Sequence, residues 1–217
     1  MPLLEIRQLS PRTRLGLWRM DEPMEGTPRQ RERLAEQLLL DAMMDGDTSF
    51  TIGHEPSGKP FLTSYFSPRT SHLSPQTSHL SPRTSHLSPQ TSHLASYTSN
   101  LSISHTRGYV VLLLSDDSGV GVDIEYRSNR VERIASRFIR PDEQVGTTNE
   151  KLLLWSAKET VYKLFSEDRL AFYDMRVLSI GEGVMQIENM KRNEVVAVSY
   201  EFTPDYVLTY AIRPMLE

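Results

Sequence analysis

A chain of 217 residues, 38% of them hydrophobic, can build one large domain or two small ones, and nothing in it calls for more. The absence of cysteine excludes disulfides, thiolate metal sites and a cysteine nucleophile, and suits a reducing, cytoplasmic setting. A formal net charge of −4 argues against nucleic-acid binding by the chain as a whole. Neither the opening Met1-Pro-Leu-Leu-Glu-Ile-Arg nor any later run has the pattern of an export signal or a membrane span.

In chain order, Pro28 to Met44 reads as an amphipathic helix. Pro28 opens it, Leu34, Leu38 and Ala42 recur at four-residue spacing with Leu39 and Met43 beside them, and Asp45-Gly46-Asp47 ends it. A seven-residue repeat follows, Ser67-Pro-Arg-Thr-Ser-His72-Leu73, in four copies up to Leu94, with a weaker copy from Ala95 to Leu101. Each heptad offers one leucine and one proline, so this is no coiled coil, and with so little to bury residues 67–101 are expected to form a disordered insertion. His72, His79, His86 and His93 invite a metal-binding reading, but a flexible chain would lose much entropy to clamp an ion, and acidic partners are absent. Neutral expansion at a loop accounts for the tract. Excising residues 67 to 94 is expected to change stability by no more than about 1 kcal/mol, the scale of loop closure. Thermal unfolding of full-length and excised proteins measures this, and a large loss would mean that the tract packs against the body.

Ser102 to Leu114 reads as a strand pair or one long strand. Val120, Val122 and Ile124 alternate with Gly121, Asp123 and Glu125, a strand with both acids on one face. From Tyr126 to Arg140 there are five arginines, at 127, 130, 133, 137 and 140, against one acid, Glu132. Val131, Ile134 and Phe138 fall on one helical face, with Arg130, Arg133, Arg137 and Arg140 on another. Asn149 to Phe165 is a helix on the spacing of Leu152, Leu153, Trp155, Val161, Tyr162 and Phe165, so Glu159 and Lys163 share a face. Strands are expected over Met175–Ile180, Val184–Glu188, Val195–Phe202 and Tyr206–Ile212, with turns at Gly181-Glu-Gly183 and Pro204-Asp205. Strands dominate the end and helices stand between them, which makes the fold class α+β.

Two acids from a strand, Asp123 and Glu125, and one from a helix, Glu159, can supply part of the six-oxygen shell that Mg²⁺ prefers. Taken singly, Glu159 and Lys163 are an ordinary helix-surface ion pair, and Asp-x-Glu on an edge strand is an ordinary solvated face. Lysine use tilts the balance. The chain has five lysines against 19 arginines, and Lys151, Lys158 and Lys163 fall within thirteen residues.

Gly-Val-Asp123-Ile-Glu125 followed by Trp155-Ser-Ala-Lys158-Glu159-x-x-x-Lys163 resembles the signature of the 4'-phosphopantetheinyl transferases, of the broad-specificity, pseudo-dimeric type. Ser102-Ile-Ser104-His105 is similar to that family's serine-histidine strand, Gly58-Lys59-Pro60-Phe61 to its glycine-lysine-proline loop, and Ala135-Ser-Arg-Phe138 with Pro141-Asp-Glu143 to the helix and turn between the two signature blocks. The resemblance implies two similar α+β halves related by a pseudo-twofold, here 1–115 and 119–217, with the site in the cleft between them. It implies an enzyme that moves phosphopantetheine from coenzyme A to a serine of an acyl or peptidyl carrier protein, as in fatty acid biosynthesis, and acts as a monomer. Asp123, Glu125 and Glu159 would hold Mg²⁺, and Glu159 and Lys163 would be catalytic. Lys59, Ser104, His105, Lys158 and Arg31 would hold coenzyme A, with His105 on its phosphates, Lys59 toward the nucleotide and Arg31 a candidate for the 3′-phosphate. The arginine stripe would dock an acidic carrier. One departure stands out: an arginine is common in the family where Glu36 or Gln37 stands. The alternative is an impaired relative that only binds carrier protein or coenzyme A.

Overall fold

The computed structural model describes residues 3–20, 25–64 and 100–215. Most of the heptad tract lies outside them. Two antiparallel sheets divide the chain in sequence order. The first contains β1 (Leu3–Ser10), β2 (Thr13–Arg19), β3 (Phe50–His54), β4 (Pro60–Ser64), β5 (Asn100–Thr106) and β6 (Tyr109–Ser115), arranged β1-β2-β6-β5-β4-β3. The second contains β7 (Ser118–Tyr126), β8 (Met175–Ile180), β9 (Val184–Asn189), β10 (Glu194–Phe202) and β11 (Tyr206–Pro214), arranged β7-β11-β10-β9-β8. The longer helices are α1 (Pro28–Met43) and α3 (Thr148–Leu164). Between β7 and α3 lie a 3₁₀ turn, Asn129–Arg133, and a single helical turn, α2 (Ala135–Phe138). The α+β class read from the sequence is what the chain adopts.

Both long helices begin on capping boxes. Thr27 accepts from the backbone of Gln30 and Thr147 from that of Glu150, each reciprocated by the side chain three residues on. The face that α1 buries is Ala35, Leu39 and Met43 with Glu36 and Leu40, whereas Leu34, expected in the apolar stripe, is 49% exposed. Gly16 on β2 explains the rotation, since a Cβ there would come within 2.4 Å of the Met43 sulfur and 2.9 Å of Leu39. The helix docks where that strand has no side chain.

Strand alternation distributes three cores. Val110, Leu112 and Leu114 of β6 face α1, while Tyr109, Val111 and Leu113 face the second sheet and meet Val120, Val122 and Ile124 of β7. Those three are the apolar half of the β7 alternation, so Gly121, Asp123 and Glu125 turn toward α3, which packs over a third core with β8 to β11. Gly121 is the point of closest approach. A Cβ would lie 2.3 Å from the Thr160 carbonyl oxygen and 3.0 Å from the Leu164 nitrogen, both helix backbone. Gly121→Ala should therefore destabilise by about 1–3 kcal/mol, because neither strand nor helix backbone gives way cheaply. An unchanged urea midpoint would show that α3 lifts off β7 freely.

The seam between the sheets is made by hydroxyls. β7 is an edge strand, and its outward amides at Val122 and Tyr126 donate to Ser102 Oγ (3.0 Å) and Thr106 Oγ1 (2.9 Å). Ser102, Ser104 and Thr106 alternate along β5, so one strand face satisfies the free edge of its neighbour.

Candidate active site

Asp123 is 4% exposed and its carboxylate is fully engaged. Ser104 donates to Oδ1 at 2.8 Å, Lys163 Nζ donates to the same oxygen at 2.8 Å, and Ser156 donates to Oδ2 at 2.9 Å. Ser156 is in turn 2.9 Å from Thr209, which is 2.7 Å from Thr160, a fully buried hydroxyl ladder between α3 and β11. The ladder holds the Asp123 side chain in one orientation. Lys163 also donates to the Val122 carbonyl at 2.9 Å, which ties the end of α3 to β7.

Two residues along β7, Glu125 accepts from Trp155 Nε1 at 2.8 Å, and that indole stacks on Phe172 with ring centroids 4.9 Å apart. Burial, then the neighbouring Asp123, raises the Glu125 carboxyl above its ordinary range. Glu159 sits one turn before Lys163 on α3 and has no hydrogen-bond partner among the described residues. Its carboxyl is pushed up to about 7, first by burial and then by the charge of Asp123. Three carboxylates thus crowd one another with Lys163 as a shared counter-charge.

The crowding, together with an all-oxygen donor set, fits a hard divalent cation. As placed, however, no three His, Cys, Asp or Glu side chains among the described residues converge into one coordination shell, and Asp123 is spent on Lys163 and two hydroxyls.

Beside these groups opens a cleft of about 600 Å³, walled by Met20, Arg31, His105, Arg107, Glu125 and Arg130 among others. Its size suits a nucleotide-sized ligand. Arg31 projects from α1, and its Nε is buried without a hydrogen-bond partner among the described residues. Arg107, in the β5–β6 turn, lies over the Tyr126 ring at 4.4 Å. With Arg130 this makes three guanidiniums around one cavity, against Glu32 and Glu125, so the cleft is built for an anion with several charges.

The residues expected to hold coenzyme A separate into groups. Arg31 and His105 line this cleft. Ser104 is buried, its hydroxyl spent on Asp123. Lys59 stands in the turn before β4, its carbonyl accepting from Glu55 at 2.9 Å, and is not part of the cleft wall. Lys158 corrects the expectation. Its side chain is completely buried and its ammonium is held by Glu143 (2.8 Å) and the Phe138 carbonyl (2.8 Å), so it is a structural ion pair beneath the helix instead of a phosphate contact. Gln37 bonds Asp41 and the Phe50 carbonyl, a structural use as well.

The arginine stripe is likewise redistributed, because residues 129–138 form a 3₁₀ turn and a separate single turn in place of one helix. Arg140 is taken by Asp142 and Arg127 by Asn149, while Arg130 and Arg133 border a second groove of about 370 Å³ floored by Val131, Ile134, Leu152 and Trp155.

The two acids on β7 and the Glu159–Lys163 pair on α3, facing each other across Gly121, lie in the stretch that comparison with known proteins identifies. The sequence model of the 4'-phosphopantetheinyl transferase superfamily matches residues 119–211. Over that stretch the chain is similar to the 4'-phosphopantetheinyl transferase superfamily. No curated protein matches the chain. The superfamily match takes in β7, the arginine-bearing turns, α3 and the strands up to β11, and thus Asp123, Glu125, Glu159 and Lys163. Arg31, Lys59, Ser104 and His105 lie before it. Enzymes of this superfamily use coenzyme A and act on carrier proteins, and among the described residues no helix is long and apolar enough to cross a membrane.

Sequence reasoning missed Arg107, Ser156, Thr160 and Thr209. Ser156 and Thr160 carried a usable signal, four residues apart on the Glu159–Lys163 side of α3. Arg107 stands directly after Ser104-His105-Thr106, in a turn closed by Gly108 at φ +72°.

Proposed function

We propose that this protein transfers the 4'-phosphopantetheine group of coenzyme A to a serine of an acyl or peptidyl carrier protein, releasing 3′,5′-ADP. The observation that carries the reading is the cleft itself: three arginines and a histidine around a nucleotide-sized cavity that opens onto Glu125, beside Asp123, Glu159 and Lys163, within reach of the superfamily's matched region. In the reaction the serine oxygen bonds to the β-phosphorus and loses its proton, and the phosphoanhydride bond to the nucleotide phosphate breaks. Most of the work is positioning and charge neutralisation.

Asp123, Glu125 and Glu159 would hold Mg²⁺, and the bound ion supplies positive charge against the pyrophosphate. Arg31, Arg107, Arg130 and His105 bind and orient the phosphates of coenzyme A. Lys163 is the fixed ammonium nearest the carboxylates and donates to the departing phosphate. Glu159, half-buried, is the carboxylate placed to accept the serine proton when it is not a ligand. The two halves of the chain, 1–115 and 119–217, are read as related by a pseudo-twofold, each a sheet with one long helix on its face. The enzyme is taken to be a cytoplasmic monomer.

The second groove suits the carrier. It shares Glu125, Tyr126 and Arg130 with the first cleft, so a segment docked on its apolar floor brings a serine to the phosphates, with Arg133 on its wall and the exposed Arg137 one turn on for an acidic partner. Reversing Arg133 and Arg137 to glutamate is expected to raise KM for an acidic carrier by about tenfold at low salt and leave KM for coenzyme A nearly unchanged. Equal effects on both constants would remove the docking role. The class itself is tested by mass spectrometry of an apo acyl carrier protein incubated with this protein, coenzyme A and Mg²⁺. Addition of one phosphopantetheine supports transfer, whereas coenzyme A or carrier binding without it favours the impaired relative.

A further inference from the structure

Glu36 is an unusual residue to find under an anion-binding cleft. It lies on the buried face of α1 between Ala35, Leu39 and Leu40, its side chain is 8% exposed, and its Oε1 is 2.5 Å from Nε2 of His105. Among the described residues it has no other hydrogen bond. A carboxylate removed from water is costly unless a donor answers it, so a buried glutamate with one partner makes that contact its main stabilisation. His105 is 28% exposed, lines the cleft, and with Nε2 occupied has only Nδ1 left for a ligand. The charged groups around that cleft are Arg31 and Glu32 from α1, Arg107 from the β5–β6 turn, Glu125 from β7, and Arg130.

We propose that Glu36 is a positioning residue that acts through His105, holding the imidazole as the Nε2–H form with Nδ1 presented to a phosphoryl oxygen in the cleft. When the anion binds, Nδ1 takes up one proton from solvent, which completes a chain of carboxylate, imidazolium and phosphate, and each charge-assisted hydrogen bond strengthens the next. The inference rests on the coenzyme A reading only for the identity of the ligand. The cleft keeps Arg31, Arg107 and Arg130 as its cations, and Glu36 works from behind the histidine.

The test is a double-mutant cycle on the full-length protein with inorganic pyrophosphate as probe, followed by calorimetry and by the ¹⁵N spectrum of His105. Glu36→Gln and His105→Gln should each weaken binding by about tenfold, and the double variant should bind no more weakly than His105→Gln alone. Wild type should show Nε2 protonated and Nδ1 shifting with the probe. Glu36→Gln should lose that pattern, and Glu36→Asp should restore part of it. Binding in Glu36→Gln within about twofold of wild type, or losses that simply add, would overturn the proposal. If Glu36→Gln does not fold, the same cycle is run with Glu36→Asp, and additivity there overturns it equally. A wild type that shows the coupling but transfers nothing to a carrier protein would support the role of Glu36 while removing the transferase reading.

Discussion

Lys158→Met should cost about 3–5 kcal/mol of folding stability, because it leaves the buried Glu143 carboxylate without its counter-charge. The surroundings leave that charge little access to solvent. The lysine side chain is fully buried and that of Glu143 is 4% exposed. Glu143 also holds three elements together, accepting from the Arg140 amide at 2.8 Å and the Val177 amide at 2.9 Å while it binds Lys158 on α3. Burial, and after it the charge of Arg140, lowers the Lys158 pKa while Glu143 opposes the shift, so the pair persists through mutual satisfaction. Adding Glu143→Gln to Lys158→Met should recover a large part of the loss, since the uncompensated charge is then gone. The folded fraction of Lys158→Met should bind coenzyme A as wild type does. Unchanged stability with weakened coenzyme A binding would instead return Lys158 to the phosphate role that the resemblance implies.

Local periodicity made α3 and β7 legible, and it also held the warning about Lys158. Each element has one apolar and one polar face, so Asp123 with Glu125 and Glu159 with Lys163 could be placed before any packing was known. Lys158 lies five residues before Lys163, about 140° around the helix, which puts it away from the site. Motif resemblance assigned it a ligand role that helix geometry alone disfavours. β1 and β2 gave no comparable pattern. Leu15 and Leu17 enter the core between the sheets while Trp18 enters the core under α1, so β2 is buried on both faces and shows no polar alternation. The face of α1 was misread because the deciding residue, Gly16, is on another element. The cleft was the least legible part. Arg31, His105, Arg107 and Glu125 come from α1, β5, a hairpin turn and β7, and only the folded chain brings them to one wall. The Glu36–His105 contact spans 69 positions for the same reason.

Glu159→Gln should separate the electrostatic role of that carboxylate from any structural one. In the folded, metal-free protein the Glu159 carboxyl titrates near 7, against 4.5 for the free side chain. A raised folded-state value means that the native protein holds the proton more tightly than the unfolded chain does. Wild type therefore loses stability as pH rises from about 4.5 to about 7 and carries the full cost of the buried charge above that. Glutamine has no charge to bury. Metal-free Glu159→Gln should be more stable than wild type by about 1–3 kcal/mol at pH 8, with the advantage shrinking toward pH 5. Mg²⁺ should reverse the order. By binding the native state it should raise the unfolding temperature of wild type at pH 8 and do little for the variant. Transfer to a carrier protein should fall by about two orders of magnitude or more, because a ligand and proton acceptor is lost while the hydroxyl ladder under Asp123 is untouched. Thermal unfolding at pH 5 and pH 8, with and without Mg²⁺, gives the first three quantities, and the carrier mass shift gives the fourth. A variant destabilised equally at both pH values would make Glu159 a packing residue. One that keeps both its Mg²⁺ response and its transfer rate would move the cation to Asp123 and Glu125 alone, with Lys163 displaced from the carboxylate it now occupies.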